Sequence, residues 1–182
     1  LVRLMALVSR QNTFDPAEIA AIGGCAQQHG TVYLNSQAAR AIATMEPSRS
    51  AADQLSGIFS RPQSPVWMDE STGAQCAALA QALGGEAAVA RLTGSRPFAR
   101  FAGPQISRFA AESPAAYAET ARIHLVSSFM ASLLLGGEAP MEPGDGAGMN
   151  LMDIRRLQWG ASALHATAPN LDAKLPRLQH SS

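Results

Sequence analysis

The sequence predicts an α/β fold, with α+β as the alternative, because short apolar segments of strand character alternate with segments that begin and end like helices. The composition allows a buried core, since 47% of the 182 residues are hydrophobic and only 15% are charged. Aromatic residues make up 5%, so aliphatic side chains must fill most of this core. The length fits one domain or a large part of one.

Three segments have the character of strands. Residues 19–26 form an uncharged run of small and apolar residues, which is consistent with a buried strand. Residues 31–34 are rich in β-branched and aromatic side chains and predict its partner strand, which leaves residues 27–30 as the turn between them. Residues 65–68 predict a third short strand that ends at Asp69.

Helices are predicted where an apolar stripe follows a capping residue or precedes a glycine. Thr72 stands at the start of one stripe as its capping residue, and Gly84 ends that stripe. Pro104 and Pro114 occupy positions that are typical of a first helical turn. The predicted helices cover residues 72–83, 86–92, 104–110, 114–122 and 123–135, and a last one lies around Trp159 and Leu164.

Charge and hydropathy argue against two classes of partner. The 14 basic and 14 acidic residues give a net charge of zero, which argues against general electrostatic attraction to nucleic acid or to an anionic membrane. No apolar run approaches the ~20 residues of a membrane-spanning helix. The two cysteines, Cys25 and Cys76, fit small buried side chains in a reducing compartment, so we expect a cytoplasmic protein.

Three chemical motifs are weak in this sequence. The glycine-rich residues 144–148 lack the lysine of a phosphate-binding loop, since the single lysine is Lys174, and they are interpreted as a flexible connection. Cys25 and His29 have no second ligand pair, which argues against structural zinc. No G-x-S-x-G segment is present, and His124, within the last long apolar helix, is interpreted as an ordinary core or edge histidine.

Four polar residues remain as candidates for a binding site. Gln28 and His29 follow the first predicted strand and Asp69 follows the third, and ligands of open α/β sheets gather beyond such strand ends. Arg100 lies between two phenylalanines in a loop that glycine and proline fix. Amide, imidazole and guanidinium groups bind hydroxyl and carbonyl oxygens but offer no strong nucleophile. A polyol-binding pocket and plain turns or caps both remain open from the residues alone.

Five blocks of sequence carry a resemblance to a known family, and they are GCAQQHGTVYLN, SPVWMDESTGAQC, LTGSRPFARFAGPQI, ARIHLVSSFMASLLLGG and DGAGMNLMDIRRLQW. In order and spacing these blocks resemble the xylulokinases, which belong to the FGGY family of carbohydrate kinases. The resemblance covers nearly the whole chain. It implies an actin-like, ribonuclease-H-like fold in which a mixed sheet is flanked by helices and two domains enclose a cleft.

The resemblance also implies roles for individual residues. Residues 1–182 would form most of an N-terminal, sugar-binding domain, with the nucleotide-binding domain absent from the chain. His29 and Arg100 would contact the sugar, with Gln28 beside His29, and Asp69 would lie near the pocket. No catalytic, cofactor-binding or metal-binding residue is implied in this chain, because the family's catalytic aspartate lies in a Gly-Asp-Asn motif that the sequence lacks.

The reaction implied by the resemblance is phosphoryl transfer from ATP, with Mg²⁺, to the C5 hydroxyl of D-xylulose. The chain alone is then expected to be inactive, to bind a small-molecule sugar, and to aggregate or form a homodimer through an open sheet edge. Two alternatives remain open. One is a non-catalytic sugar-binding or interaction module derived from a sugar kinase, and the other is a related FGGY kinase for another ketose or polyol.

Overall fold

A computed structural model describes residues 7–8, 10–11, 15–22 and 26–180, and within these ranges helices alternate with short strands, as the sequence predicts. The strands are β1 (Thr31–Asn35), β2 (Thr120–Leu125), β3 (Met152–Asp153) and β4 (Gln158–Trp159). The helices are α1 (Ala38–Ala43), α2 (Ala51–Leu55), α3 (Gly73–Leu83), α4 (Glu86–Thr93), α5 (Ala102–Glu112), α6 (Pro114–Glu119), α7 (Val126–Leu135), α8 (Pro143–Ala147), α9 (Ala161–Thr167) and α10 (Leu171–Lys174). In the described ranges, none of the helices has the length and apolar character needed to cross a membrane.

The described strands form two small antiparallel sheets. β1 pairs with β2, with Thr31 opposite Leu125, and β3 pairs with β4, with Met152 opposite Trp159. The mixed sheet that the resemblance implies is therefore not seen among the described residues, because the other two predicted strands find no partner there. Pairing of β1 with β2 brings together residues that are about ninety positions apart in the chain.

Side chains of β1 enter two different hydrophobic clusters, because successive residues of a strand point to opposite faces. On one face, Tyr33 belongs to a cluster that also contains Ile106, Phe109, Ile123 and Leu151. On the other face, Val32 and Leu34 belong to a cluster that also contains Ala38, Ile42, Leu55 and Phe129. The β1–β2 pair is thus covered on both faces, which fixes the loops at its ends relative to the helices.

Two of the three predicted strands are wrong in the described residues. Residues 19–22 form no strand and Ile22 is 63% exposed, while residues 23–25 of the same predicted strand lie outside the described ranges. Residues 65–68 form no strand either, and they expose Val66, Trp67 and Met68. A strand requires a hydrogen-bonded neighbour, and no described segment pairs with either stretch. Residues 31–34 do form a strand, but their partner is β2.

The predicted boundary between helices 114–122 and 123–135 is also wrong. α6 ends at Glu119, β2 follows, and α7 begins at Val126. Pairing with β1 along the whole of β2 overrides the helical spacing of the apolar residues in this stretch. His124 therefore lies in a strand, although it is buried, as expected for a core histidine. Burial lowers the pKa of His124 to about 4, and the nearby carboxylate of Glu138 opposes this shift in part.

The ends of α3 and α4 follow the prediction, but the capping of α3 does not. Gly84 and Gly94 end these helices in the left-handed conformation, which glycine adopts without steric cost. Thr72 precedes α3 without capping it, because its hydroxyl donates to the carbonyl oxygen of Ala99 at 2.5 Å. This bond ties the start of α3 to the loop that carries Arg100.

The glycine-rich residues 144–148 do not form the predicted flexible connection. Most of them lie in α8, where Pro143 occupies the first turn. The carboxylate of Glu142 caps the helix by accepting hydrogen bonds from the backbone N–H groups of Gly144 at 2.6 Å and Asp145 at 3.3 Å. The proline and the acidic cap give this stretch a defined backbone despite its glycines.

Candidate functional site

A small, solvent-accessible hollow of about 30 Å³ lies where the chain enters β1 and leaves β2. These two points are adjacent because Thr31, the first residue of β1, pairs with Leu125, the last residue of β2. α8 contributes the third side. The lining residues are Ala26, Gln27, Gln28, His29, Leu125, Ser127, Gly144, Asp145 and Gly148.

His29 is held in the wall of this hollow by its backbone and by its ring. Its φ of +64° places the residue in the left-handed region, as in a tight turn. The imidazole Nδ1 lies 3.1 Å from the carbonyl oxygen of Gly148, and the ring packs on Phe101 with centroids 4.7 Å apart. The orientation of the imidazole is therefore set from two sides.

The bond to Gly148 also determines which nitrogen of His29 carries the proton. A carbonyl oxygen can only accept a hydrogen bond, so Nδ1 is the donor and carries the hydrogen. Burial lowers the pKa of His29; the bond to Gly148 raises it in part, and the positive charge of Arg100 lowers it further. His29 is therefore neutral at pH 7, and its Nε2 offers a lone pair that can accept a hydrogen bond.

Arg100 is oriented by an acidic neighbour and two aromatic rings. Its Nε donates to an oxygen of Glu70 at 2.8 Å, and Nη2 binds the same oxygen. The guanidinium carbon lies 5.4 Å from the ring centre of Trp67 and 5.7 Å from that of Phe98. Among the described residues Nη1 has no hydrogen-bond partner, so this group can donate to a ligand oxygen.

His29 and Arg100 flank one continuous aromatic wall. Phe101 contacts the imidazole of His29, and its ring centre lies 5.6 Å from that of Phe98, which in turn faces Arg100. Arg100 is also near enough for its positive charge to lower the pKa of His29. The fold thus brings the imidazole and the guanidinium to one surface, although they are distant in the sequence.

Asn150 fixes the loop that carries Arg100. Its side chain is fully buried, and its Nδ2 donates to the hydroxyl of Ser95 at 3.0 Å and the hydroxyl of Thr93 at 3.2 Å. Its Oδ1 accepts from the backbone N–H of Phe98 at 3.3 Å. Because a buried amide without partners is costly, this set of bonds favours one loop conformation.

Gly148 and Met149, the two residues before Asn150, fix the end of the aromatic wall that carries His29. The carbonyl of Gly148 holds His29, and that of Met149 accepts from the backbone N–H of Gly103 in α5 at 2.9 Å. A Cβ atom on Gly103 would lie only 2.5 Å from the carbonyl oxygen of Met149, so only glycine permits this approach. The segment Gly148 to Asn150 therefore positions both the His29 turn and the Arg100 loop.

Comparison with known proteins identifies the relatives of this chain. No protein-family model matches the sequence. Xylulose kinase 2 of Arabidopsis thaliana is 45% identical over 165 residues, and the xylulose kinase of Mus musculus is 43% identical over 166 residues. Each match covers 91% of this chain. The chain is a homologue of the xylulose kinases. The resemblance predicted from the five sequence blocks is thereby confirmed.

Solved structures show the same fold as this xylulose kinase homologue. A xyloylose kinase from Brucella ovis matches 97% of the chain with a TM-score of 0.69 at 22% identity. The glycerol kinase of Plasmodium falciparum matches 98% with a TM-score of 0.71 at 16% identity. The predicted α/β sugar kinase fold of actin-like type is confirmed. The chain spans 30% of the length of the two curated relatives and about a third of these two solved chains.

The four residues predicted as sugar ligands of the xylulose kinase homologue lie at different places. His29 and the exposed Gln28 line the hollow, and Arg100 lies beyond the phenylalanines of the wall. Asp69 does not line the hollow. Its carboxylate accepts from the backbone N–H of Ser71 at 2.8 Å and from the Ser71 hydroxyl, bonds that lower the pKa of Asp69. Asp69 therefore stabilises the turn before α3, and its predicted role near the sugar stays a prediction.

Several residues of this region in the xylulose kinase homologue were not predicted as part of a site. These residues are Trp67, Glu70, Ser127, Asp145, Gly148 and Asn150. The last three lie in the motif DGAGMN, which contributes to the resemblance but receives no binding role from the sequence. All six act through contacts between distant parts of the chain, up to 119 positions apart, which spacing along the chain does not reveal.

The described residues of the xylulose kinase homologue do not fit the MgATP that the resemblance implies. They include no group of three or more His, Cys, Asp or Glu side chains that could hold a metal ion. The glycine-rich start of α8 already binds the carboxylate of Glu142, whose negative charge would repel a phosphate. The polar groups around the hollow instead suit hydroxyl and carbonyl oxygens.

Proposed function

We propose that this chain binds D-xylulose as the sugar-binding part of a cytoplasmic, ATP-dependent xylulose kinase. The observation that carries the proposal is the pairing of a neutral His29 with an oriented Arg100 on one aromatic wall beside a hollow. The names of the curated relatives, which are xylulose kinases, support the choice of sugar. The phosphate donor and the catalytic aspartate of the family would lie outside these 182 residues.

The groups on the wall complement the oxygens of a ketose. Nε2 of His29 accepts a hydrogen bond from a sugar hydroxyl, and Nη1 of Arg100 donates to a hydroxyl or to the ketone oxygen. The faces of Trp67 and Phe98 offer apolar surface to the carbon chain of the sugar. None of these groups is an activated nucleophile, so their contribution to the reaction is to bind the sugar and orient the hydroxyl that is phosphorylated.

The two tryptophans of the chain provide a test with an internal control. Trp67 lies against Arg100, whereas Trp159 belongs to β4 and donates through its indole nitrogen to the carbonyl of Pro176 at 2.8 Å. Titration with D-xylulose should shift the indole N–H signal of Trp67 in the NMR spectrum and leave that of Trp159 in place. Equal shifts of both signals, or no shift of Trp67 at saturating sugar, would contradict the proposal.

A non-catalytic sugar-binding module derived from a sugar kinase is the second candidate, because binding a sugar requires only the groups of the wall and no activated nucleophile. The two candidates separate in a chimera in which this chain replaces the 166 matching residues of the Mus musculus xylulose kinase. If the chain is the sugar-binding part of a kinase, the chimera should phosphorylate D-xylulose with ATP. A chimera that folds and binds D-xylulose but does not phosphorylate it supports the module.

A further inference from the structure

We propose that Asp145, held by Ser127, is a further substrate-binding residue that accepts a hydrogen bond from a second hydroxyl of the sugar. This inference rests on the proposed function, since it concerns the same hollow. Asp145 lies in the glycine-rich stretch for which the sequence predicts only a connection. The structure instead places its side chain in the wall of the hollow that His29 also lines.

The carboxylate of Asp145 is oriented but only partly used. The hydroxyl of Ser127, in the first turn of α7, donates to Oδ2 of Asp145 at 2.5 Å. In the described part of the chain, Oδ1 accepts no hydrogen bond, and no arginine, lysine or histidine forms an ion pair with this carboxylate. One oxygen thus fixes the side chain, while the other can accept from a ligand.

The positions of Asp145 and His29 are linked through Gly148. The carbonyl of Asp145 accepts from the backbone N–H of Gly148 at 3.2 Å, and the carbonyl of Gly148 accepts from His29. A Cβ atom on Gly148 would lie 3.3 Å from the ring of His29 and 3.4 Å from the carbonyl oxygen of Asp145. A glycine at this point therefore allows the imidazole of His29 and the backbone of Asp145 to pack closely around it.

Two acceptors in one hollow define the class of ligand. The neutral Nε2 of His29 and Oδ1 of Asp145 both accept, so together they suit a molecule with at least two hydroxyl donors. Acyclic ketoses and alditols present such hydroxyls, whereas a phosphate or a carboxylate would be repelled by Asp145. The hollow is thus expected to select polyols and to reject anionic sugars at this end.

Asp145→Asn is the variant that tests this assignment, because asparagine keeps the shape of the side chain and removes its charge. Hydrogen bonds to charged groups are the stronger ones, so we expect D-xylulose binding to weaken by about 10-fold or more in this variant. Ser127→Ala, which frees the carboxylate to rotate, should weaken binding by a smaller factor. Asp172→Asn, an exposed change in α10, serves as the matched control and should bind like the parent chain.

Binding is measured by calorimetry on the chain with D-xylulose and with its 3-deoxy and 4-deoxy analogues, and folding of each variant is checked by thermal unfolding. We expect one deoxy analogue to bind the parent chain more weakly than D-xylulose does, because the lost hydroxyl is the partner of Asp145. Asp145→Asn should bind that analogue and D-xylulose with equal affinity. If Asp145→Asn unfolds, the affinities of Ser127→Ala for D-xylulose and for the deoxy analogues provide the same comparison. Normal D-xylulose affinity in a folded Asp145→Asn overturns this inference alone, whereas no binding by the parent chain overturns the proposed function.

Discussion

Replacing Arg100 by alanine is expected to weaken the binding of D-xylulose by about 10–100-fold, the range that corresponds to loss of one hydrogen bond from a charged donor. The reason is that Glu70, Trp67 and Phe98 hold the guanidinium in one orientation. Its Nη1, which has no hydrogen-bond partner among the described residues, therefore binds without a large loss of side-chain entropy. Arg100→Lys keeps the charge but not the planar group, so its affinity for D-xylulose should lie between those of the parent chain and the alanine variant. Isothermal titration calorimetry with D-xylulose measures the three dissociation constants.

Arg96→Ala is the matched control for Arg100, since Arg96 lies in the same loop, carries the same charge and is exposed. Loss of a positive charge near the site is then the same in both variants, and only the oriented donor differs. We expect Arg96→Ala to bind D-xylulose within about twofold of the parent chain. Equal affinities of the two alanine variants would show that Arg100 acts through general charge and not through a hydrogen bond to the sugar.

Gly103→Ala is expected to have the largest effect on stability. The added Cβ would lie 2.5 Å from the carbonyl oxygen of Met149, so α5 and the segment 148–150 must move apart. Overpacking of this kind costs about 2 kcal/mol, and for a chain of this size the melting temperature should fall by about 4–8 °C. Because Gly148 and Asn150 adjoin Met149, sugar affinity should fall with stability. Differential scanning calorimetry and sugar titration measure the two effects.

Gly73→Ala provides the comparison for Gly103→Ala. Gly73 also lies in the first turn of a helix, but apart from its chain neighbours and its own helix backbone a Cβ there would meet no atom of the described residues within 4 Å. Alanine favours helix over glycine, so Gly73→Ala should leave stability unchanged or raise it slightly. If Gly103→Ala is as stable as Gly73→Ala and binds the sugar normally, the close approach of α5 to Met149 does not position the site.

Local signals along the chain predict some elements of this fold and fail for others. The glycines that end α3 and α4 act through their own backbone, so their positions are readable in the sequence. Strands 19–26 and 65–68 fail because apolar composition does not supply a hydrogen-bonded neighbour. β2 is mistaken for parts of two helices because its identity depends on pairing with β1, which lies about ninety residues earlier.

The candidate site shows the same limit. His29 and Arg100 are recognisable because a polar turn and a phenylalanine-flanked arginine stand out locally, and the resemblance to xylulose kinases reinforces both. Asp145 and Asn150 are not recognisable, since their surroundings are contacts with α7, with the His29 turn and with the loop before Arg100. Asp69 stands out equally in the sequence, but the structure shows its carboxylate binding Ser71 in a turn.

Neutral His29, with its proton on Nδ1, is expected to accept a hydrogen bond from a sugar hydroxyl at Nε2. Nitrogen-15 NMR of the imidazole at about pH 7, with and without D-xylulose, measures the protonation of both nitrogens. We expect a protonated Nδ1, an unprotonated Nε2 whose signal moves on sugar binding, and unmoved signals of His165 and His180. Binding should weaken as the pH falls below the pKa of His29, because a protonated Nε2 cannot accept a hydrogen bond. A proton on Nε2 in the free protein, or an Nε2 signal unchanged by saturating D-xylulose, would exclude this role of His29.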